Sequence, residues 1–479
     1  MINRRFLFVL LGPLSFLFFY LIGPFDGMSF EAHAIFCSAI WIAIWWISEA
    51  IPIPVTSLLP LVLFPLSGGL DLKSTASAYG DEIIFFYMAG FFIALAMQKW
   101  GLHKRIALNI INLIGSKKKE IILGFMISTA LLSMWISNTS TSIMMLTIGI
   151  ALTSQLSLKN TLKQENNFGK ALMLGIAYSA SIGGFSTLYG TPPNMILKSN
   201  VEQYYNTTIE FNNWFLMAFP LSLTLLTLCW YYLVYHAFNL GLDSEISKKE
   251  IKSQINNLGI IKYEEKLILI IFLVFVFGLI FKQKIQHYFI SIDDTIIAIV
   301  VSIFLFIIPD KNKNQKLMEW NDAMKLPWGI ILLFGAGLSL ALAIQISGLA
   351  GWIGQQAYSL KDYNSFSILF LIVLAVNFLT EITSNLATVS MLLPILASVG
   401  SSLGIHPFVL MISATVAASC AFMLPVATPP NAIVFGSGYL KIKDMVKTGL
   451  FMNVISIILI SVYIYYILPL IWDLDLFIY

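Results

Sequence analysis

The chain has 479 residues, of which 58% are hydrophobic and 11% charged, against about 25% charged in a globular domain; so apolar a chain has more surface than a water-soluble fold can hide. The net charge is +3 and the basic residues fall between apolar segments, which excludes a nucleic-acid-binding patch. Mean hydropathy is +0.83, and apolar stretches of about 20 residues, each enough to cross a bilayer core ~30 Å thick, recur throughout; the shorter, alternating strands of a membrane β-barrel are excluded.

The fold expected is therefore an all-α polytopic membrane protein. Spans are expected near 6–24, 31–49, 52–70, 82–100, 171–199, 212–238, 264–281, 288–309, 327–348, 407–440 and 448–471. Arg4 and Arg5 precede the first, and no small-residue cleavage site follows it, so it reads as a span and not as a removed signal peptide. Two further apolar regions, 120–158 and 364–403, are interrupted at their middles by polar residues. They read as re-entrant hairpins beside about 11 full spans. Residues 1–70 form N-terminal scaffold spans, 71–240 a first repeat core, 241–266 a cytoplasmic linker and 267–479 a second repeat.

Basic residues orient this arrangement in a bacterial inner membrane, because cytoplasmic loops collect Lys and Arg. Arg4 and Arg5, the linker lysines Lys248, Lys249, Lys252, Lys262 and Lys266, then Lys311, Lys313 and Lys316, and finally Lys441, Lys443 and Lys447 all fall inside on one count. The C-terminus, with Asp473 and Asp475, falls outside; Lys282 and Lys284 are the exceptions to the bias. Lys117 to Lys119 and Lys159, Lys163 and Lys170 flank the first hairpin, which should enter from the cytoplasm. Lys361 with Asp362 and the uncharged Ser401 to Gly404 flank the second, which should enter from the opposite face. The expected topology is an inverted repeat.

The repeat is visible residue by residue. LLSMWISNTSTSIMMLTI (131–148) aligns without a gap with FLTEITSNLATVSMLLPI (378–395), bringing Ser133 onto Thr380, Ser137-Asn138 onto Ser384-Asn385 and Thr141 onto Thr388. Downstream, Gly190-Thr191-Pro192-Pro193-Asn194 matches Ala427-Thr428-Pro429-Pro430-Asn431. Proline removes a donor and breaks the preceding turn. In a bilayer such a break survives only where protein or a cavity satisfies the freed groups. Half-helix N-termini offer about half a positive charge and free N–H groups to an anion, while freed carbonyls with Ser, Thr and Asn oxygens suit a hard cation. Carriers with inverted repeats place substrate and coupling ion at such breaks. Neither hairpin tip nor either Pro-Pro break contains Lys, Arg or His. A doubly charged anion there needs another source of positive charge, and bound sodium ions would supply it.

Other chemistries find no support. Cys37, Cys229 and Cys420 lie in apolar stretches at unrelated spacings and read as small buried hydrophobes. His33, His103, His236, His287 and His406 show no metal-ligand spacing, and no nucleophile–base pair or H-E-x-x-H appears. Gly183-Gly184 reads as helix packing and not as a phosphate loop, Trp45, Trp46 and Trp214 as interfacial belt residues, Glu49 as a structural residue near the cytoplasmic interface, and Glu381 as pointing away from any ion at Thr380.

At these residues the chain resembles the divalent anion/sodium symporter family of di- and tricarboxylate and sulfate carriers. The resemblance covers WWISEAIPIPVTSLLP (Trp45 to Pro60), SMWISNTST (Ser133 to Thr141), GTPPN, FLTEITSN (Phe378 to Asn385) and ATPPN. It implies two re-entrant hairpins, a homodimer in lipid, a transport domain moving beside a scaffold, and one sodium site per repeat, with no other cofactor and no enzymatic activity. Carried over, the first sodium site is Ser133, Ser137, Asn138 and Gly190; the second is Thr380, Thr383, Asn385 and Ala427. The dianion would meet Asn138, Thr139, Thr191, Pro192, Asn385, Leu386, Thr428 and Pro429. The family's second Ser-Asn-Thr triad reads Ser384-Asn385-Leu386 here. An apolar residue fits a carbon chain better than a tetrahedral sulfate, which favours a C4-dicarboxylate, with sulfate or tricarboxylate symport and dicarboxylate exchange as the alternatives and a channel or intramembrane enzyme as the remote ones.

Overall fold

The structure, a computed structural model, describes residues 4–156, 162–240, 248–287 and 292–476. Among them the regular structure is helical. In chain order the helices are α1 (Arg4–Ile22), α2 (Phe30–Ser48), α3 (Ile53–Thr56), α4 (Pro60–Ser67), α5 (Leu72–Ser77), α6 (Glu82–Trp100), α7 (Leu102–Ile114), α8 (Lys118–Ser133), α9 (Asn138–Leu156), α10 (Leu162–Ser186), α11 (Pro192–Tyr205) and α12 (Phe211–Tyr232). There follow α13 (Lys248–Asn257), α14 (Tyr263–Ile280), α15 (Lys282–Gln286), α16 (Asp294–Ile307), α17 (Trp320–Ala323), α18 (Trp328–Ile346), α19 (Leu349–Ala357), α20 (Ser365–Leu379), α21 (Asn385–Leu403), α22 (Pro407–Ala418), α23 (Pro429–Phe435), α24 (Ile442–Tyr466) and α25 (Leu468–Trp472). Among the described residues six helical stretches are long and apolar enough to cross a membrane, and five shorter helices are also apolar.

The order of elements in the first half recurs in the second. A left-handed glycine, Gly101 (φ +77°) or Gly348 (φ +80°), separates α6 from α7 and α18 from α19; only a residue without Cβ adopts that conformation freely. A helical hairpin follows, α8–α9 or α20–α21, then an interrupted helix, α10–α11 or α22–α23, then one long helix, α12 or α24. Packing between the halves is reciprocal: α9 lies against α23, and α21 lies against α11. Around this centre, α1, α2 and α4 pack together, as do α14, α16 and α6.

Several expected spans take a different form. The apolar run 52–70 is two short helices, α3 and α4; Pro52, Pro54, Pro60 and Pro65 forbid one continuous ladder. The runs 171–199 and 407–440 are each a helix, a break and a second helix. The 288–309 span starts at Asp294, whose helix is capped by the Asp293 carboxylate accepting from Ile296 N at 2.7 Å; residues 288–291 lie outside the described residues, as do Lys159 and residues 157–158 of the first hairpin. The hairpin arms are unequal, 16 and 19 residues in the first and 15 and 19 in the second. Trp46 and Trp214 are fully buried and are not belt residues.

A cluster of buried ion pairs joins α11, α15 and α16. Lys282 lies 2.6 Å from Glu210 and 3.1 Å from Asp294, which Lys198 also meets at 3.2 Å. The segment before α14 is held by Arg105, which reaches the Glu265 carboxylate and donates to the Gly259 carbonyl at 2.9 Å; residues 241–247 of the expected linker lie outside the described residues. The three cysteines are free and buried, as expected of small hydrophobes.

Candidate functional site

Each hairpin turns over through a short non-helical tip, 134–137 in the first and 380–384 in the second. The tips share one arrangement. Ser133 Oγ lies 2.5 Å from Asn138 Oδ1 and 2.7 Å from the Ala180 carbonyl oxygen. Thr380 Oγ1 lies 2.7 Å from Asn385 Oδ1 and 3.0 Å from the Ala418 carbonyl oxygen. A hydroxyl has one proton, and here it faces two acceptors. In both repeats the oxygens outnumber the protons between them, an excess that a hard cation satisfies. Thr383, also assigned to the second cation, instead bonds the Leu379 carbonyl at 2.9 Å and meets Thr388 Oγ1 at 2.6 Å. Ser137 Oγ accepts from Ser140 N at 3.3 Å and caps α9.

Beside each tip lies a helix break. In the first, Thr187 Oγ1 donates to the Met134 carbonyl at 2.6 Å and ties break to tip. The Trp214 indole N–H donates to the Phe185 carbonyl at 3.0 Å, one of those the end of α10 leaves free. Gly190 has no room for a side chain between tip and break. A methyl group there would lie 2.9 Å from the Ser133 carbonyl oxygen and 3.0 Å from that of Met134, and would strike the Gly184 carbonyl oxygen harder still. Gly184 in turn lies against the Asn138 carboxamide, and Gly183 against the backbone of Ala130, so the glycine pair serves close packing.

The second break is held by a charge. Glu381 is 3% exposed. Its carboxylate accepts from Phe422 N at 2.7 Å, Met423 N at 2.9 Å, Leu424 N at 3.0 Å and Asn453 Nδ2 at 2.8 Å. It supplies acceptors to N–H groups that the interruption would otherwise leave unpaired. The aligned residue in the first repeat is Met134, so the two breaks are built differently.

Tips and breaks together enclose a cavity of about 550 Å³, within the ~300–1,000 Å³ usual for small-molecule sites. Ser137, Asn138, Thr139, Gly190, Thr191 and Pro192 line it from the first repeat. Asn385, Leu386, Ala427, Thr428 and Pro429 line it from the second. Ser133, Thr380 and Thr383 are buried behind this layer. Prolines 192, 193, 429 and 430 have no N–H, so first-turn N–H groups beside the cavity belong chiefly to α9 and α21. Thr428 Oγ1 accepts from Asn431 N at 3.2 Å and thereby also caps α23.

Much of the rest of the lining carries no signal in the sequence. Phe86, Tyr87, Trp135, Tyr189, Phe272 and Phe275 form an aromatic wall, and aromatic residues are common throughout so apolar a chain. Tyr189 donates to Asp294 Oδ2 at 2.8 Å. Glu49 reaches the cavity from the end of α2 with φ +45°; it is the single charged side chain among the described residues of the lining.

The profile of the sodium:sulfate symporter transmembrane region matches residues 6–472. The chain belongs to the sodium:sulfate symporter family. Among its relatives in this family, the sodium-dependent dicarboxylate transporter SdcS of Staphylococcus saprophyticus is 42% identical over 98% of this chain and 92% of its own length. SdcS of Staphylococcus aureus strain RF122 is 44% identical over the same shares. Two solved transporters share the fold at 13% identity: MtrF of Neisseria gonorrhoeae (TM-score 0.59, over 96% of this chain and 98% of its own) and YdaH of Alcanivorax borkumensis (0.56, over 93% and 100%). The sodium:sulfate symporter family is a family of transporters, and the chain is a transporter, not an enzyme.

Proposed function

We propose that this chain is a sodium-coupled symporter of C4-dicarboxylates that works by alternating access in the bacterial inner membrane. The observation that carries the reading is the twinned hydroxyl, Ser133 or Thr380, facing an Asn carboxamide oxygen and a backbone carbonyl oxygen with one proton. A sodium ion beside each, with the N–H groups of α9 and α21, offsets two carboxylate charges in a cavity lined by no Lys, Arg or His. The relatives named as sodium-dependent dicarboxylate transporters support both coupling ion and substrate class. So does Leu386, an apolar wall residue where a third hydroxyl would favour a smaller tetrahedral anion.

The reading assigns Ser133, Ser137, Asn138 and Gly190 to one sodium ion, and Thr380, Thr383, Asn385 and Ala427 to the other. Asn138, Thr139, Thr191, Asn385 and Thr428 meet the carboxylates; Pro192, Pro429 and Leu386 shape the apolar part. The halves are inverted in the membrane, with the N-terminus cytoplasmic, the C-terminus outside and both hairpins re-entrant. In a homodimer, α8–α11 and α20–α23 move as one body against the remaining helices, an elevator; the reciprocal packing of α9 on α23 and α21 on α11 supports their moving together. Purified protein in liposomes should accumulate succinate above its external concentration only under an inward sodium gradient, with sulfate and citrate much weaker. Equal succinate uptake with sodium and with choline rejects the proposal.

A further inference from the structure

The two breaks share one more device, and it involves residues to which no transport role has been given. Asn194 and Asn431 follow the Pro-Pro pairs at matching positions, and both are completely buried. The Asn194 carboxamide nitrogen donates to the Phe185 carbonyl at 3.2 Å and the Thr187 carbonyl at 2.8 Å. The Asn431 nitrogen donates to the Ala421 carbonyl at 3.2 Å and the Leu424 carbonyl at 3.0 Å. Each –NH2 group has two protons, and each proton has its own carbonyl. With two carbonyls on that side, the flipped amide would set oxygen against oxygen, which fixes the orientation.

The remaining oxygen is informative. Oδ1 of Asn194 and Oδ1 of Asn431 are both buried without a hydrogen-bond partner. Burying an unpaired amide oxygen is unfavourable, and an apolar residue of similar size would fill the space without that penalty. What an asparagine adds at both positions is the pair of donors. Each pair closes a loop across the break, from the end of one half-helix to the first turn of the next. Inside the first loop lie Gly190 and Thr191; inside the second lie Ala427 and Thr428.

We infer that Asn194 and Asn431 are the positioning residues of the two cation sites: by clamping two carbonyls of its break, each carboxamide fixes where Gly190 or Ala427 presents its backbone to the ion. The inference rests on the sodium-site reading proposed above. The clamp needs no contact with the ion. It acts as groups behind a metal's direct ligands act, where a change typically weakens metal affinity about 10–100-fold.

The test uses the full-length protein in detergent, titrated with sodium chloride against choline chloride at constant ionic strength. Two quantities are read: the sodium concentration giving half of the sodium-dependent rise in Tm, and the succinate KM in liposomes at saturating sodium. Asn194→Ala and Asn431→Ala should each raise half-saturating sodium about tenfold or more and leave the succinate KM near the wild-type value. Residues that only fill space would not separate sodium from substrate in this way. Asn194→Ser and Asn431→Ser disturb packing less and are read identically if an Ala variant does not fold. Half-saturating sodium that stays below about three times the wild-type value in the folded variants overturns the inference. So does a succinate KM that rises in step with sodium, or recovery of both substitutions at a position only as aggregate. A wild-type protein whose Tm ignores sodium contradicts the sodium-site reading itself, a result distinct from any of these.

Discussion

Asn138→Ala should raise the sodium concentration for half-maximal uptake by about a hundredfold, and Asn385→Ala should do the same at the other site. The carboxamide oxygen in each case stands with a hydroxyl and a backbone carbonyl oxygen, at 2.5 Å from Ser133 Oγ and 2.7 Å from Thr380 Oγ1. Removing it takes one oxygen from a small set of ligands and frees the hydroxyl to turn wholly onto the Ala180 or Ala418 carbonyl, which lowers that oxygen's share for an ion. Asn138 and Asn385 also line the cavity, so succinate affinity falls with sodium affinity. That joint loss separates these residues from Asn194 and Asn431. Initial rates of succinate uptake across a sodium series measure it, with Tm in choline reporting folding; wild-type sodium dependence in both variants would remove the sodium-site assignment.

Gly190→Val should abolish uptake, and even Gly190→Ala should leave only a few per cent. The methyl group meets three backbone carbonyl oxygens, of Ser133 at the end of α8, Met134 in the tip and Gly184 on α10. Backbone cannot yield as the end of a flexible side chain can, so tip and break are driven apart where the first cation would sit. Overpacking of this kind costs about 1–3 kcal/mol, and the protein should remain foldable while the site is lost. Gly351→Ala is the control, because a methyl there meets nothing within 4 Å. The second repeat carries Ala427 at the matching position, so Ala427→Gly should be mild. Activity in Gly190→Ala close to that of Gly351→Ala would show that tip and break are not held at this spacing.

Much of this architecture is legible in the sequence because the constraint is severe. A bilayer forbids unpaired backbone groups, so duplicated Ser-Asn and Thr-Pro-Pro-Asn strings inside apolar runs can hardly be loops, and the structure brings eleven of the fourteen predicted residues to one cavity. The rest was not legible, for physical reasons. The 52–70 run has the hydropathy of a span, and only its four prolines betray the break. The partners of Glu381 are N–H groups some forty residues away, at Phe422 to Leu424, and backbone donors leave no trace in side-chain identity. Asn194 and Asn431 stood inside the strings that revealed the repeat, yet only coordinates show their two donors spanning a break. The aromatic wall gave no signal, since neither period nor composition separates a residue facing a cavity from one facing a neighbouring helix, and Glu49, expected to be structural, lines the cavity.

The central claim is that one small dianion sits between Asn138 and Asn385, its charge offset by two sodium ions and helix ends. A cryo-EM map of the protein with sodium and succinate tests it most directly. The account predicts succinate density bridging the two hairpin tips, with spherical density beside Ser133 and beside Thr380. Succinate density held instead by basic side chains, with both tips bare, would contradict it.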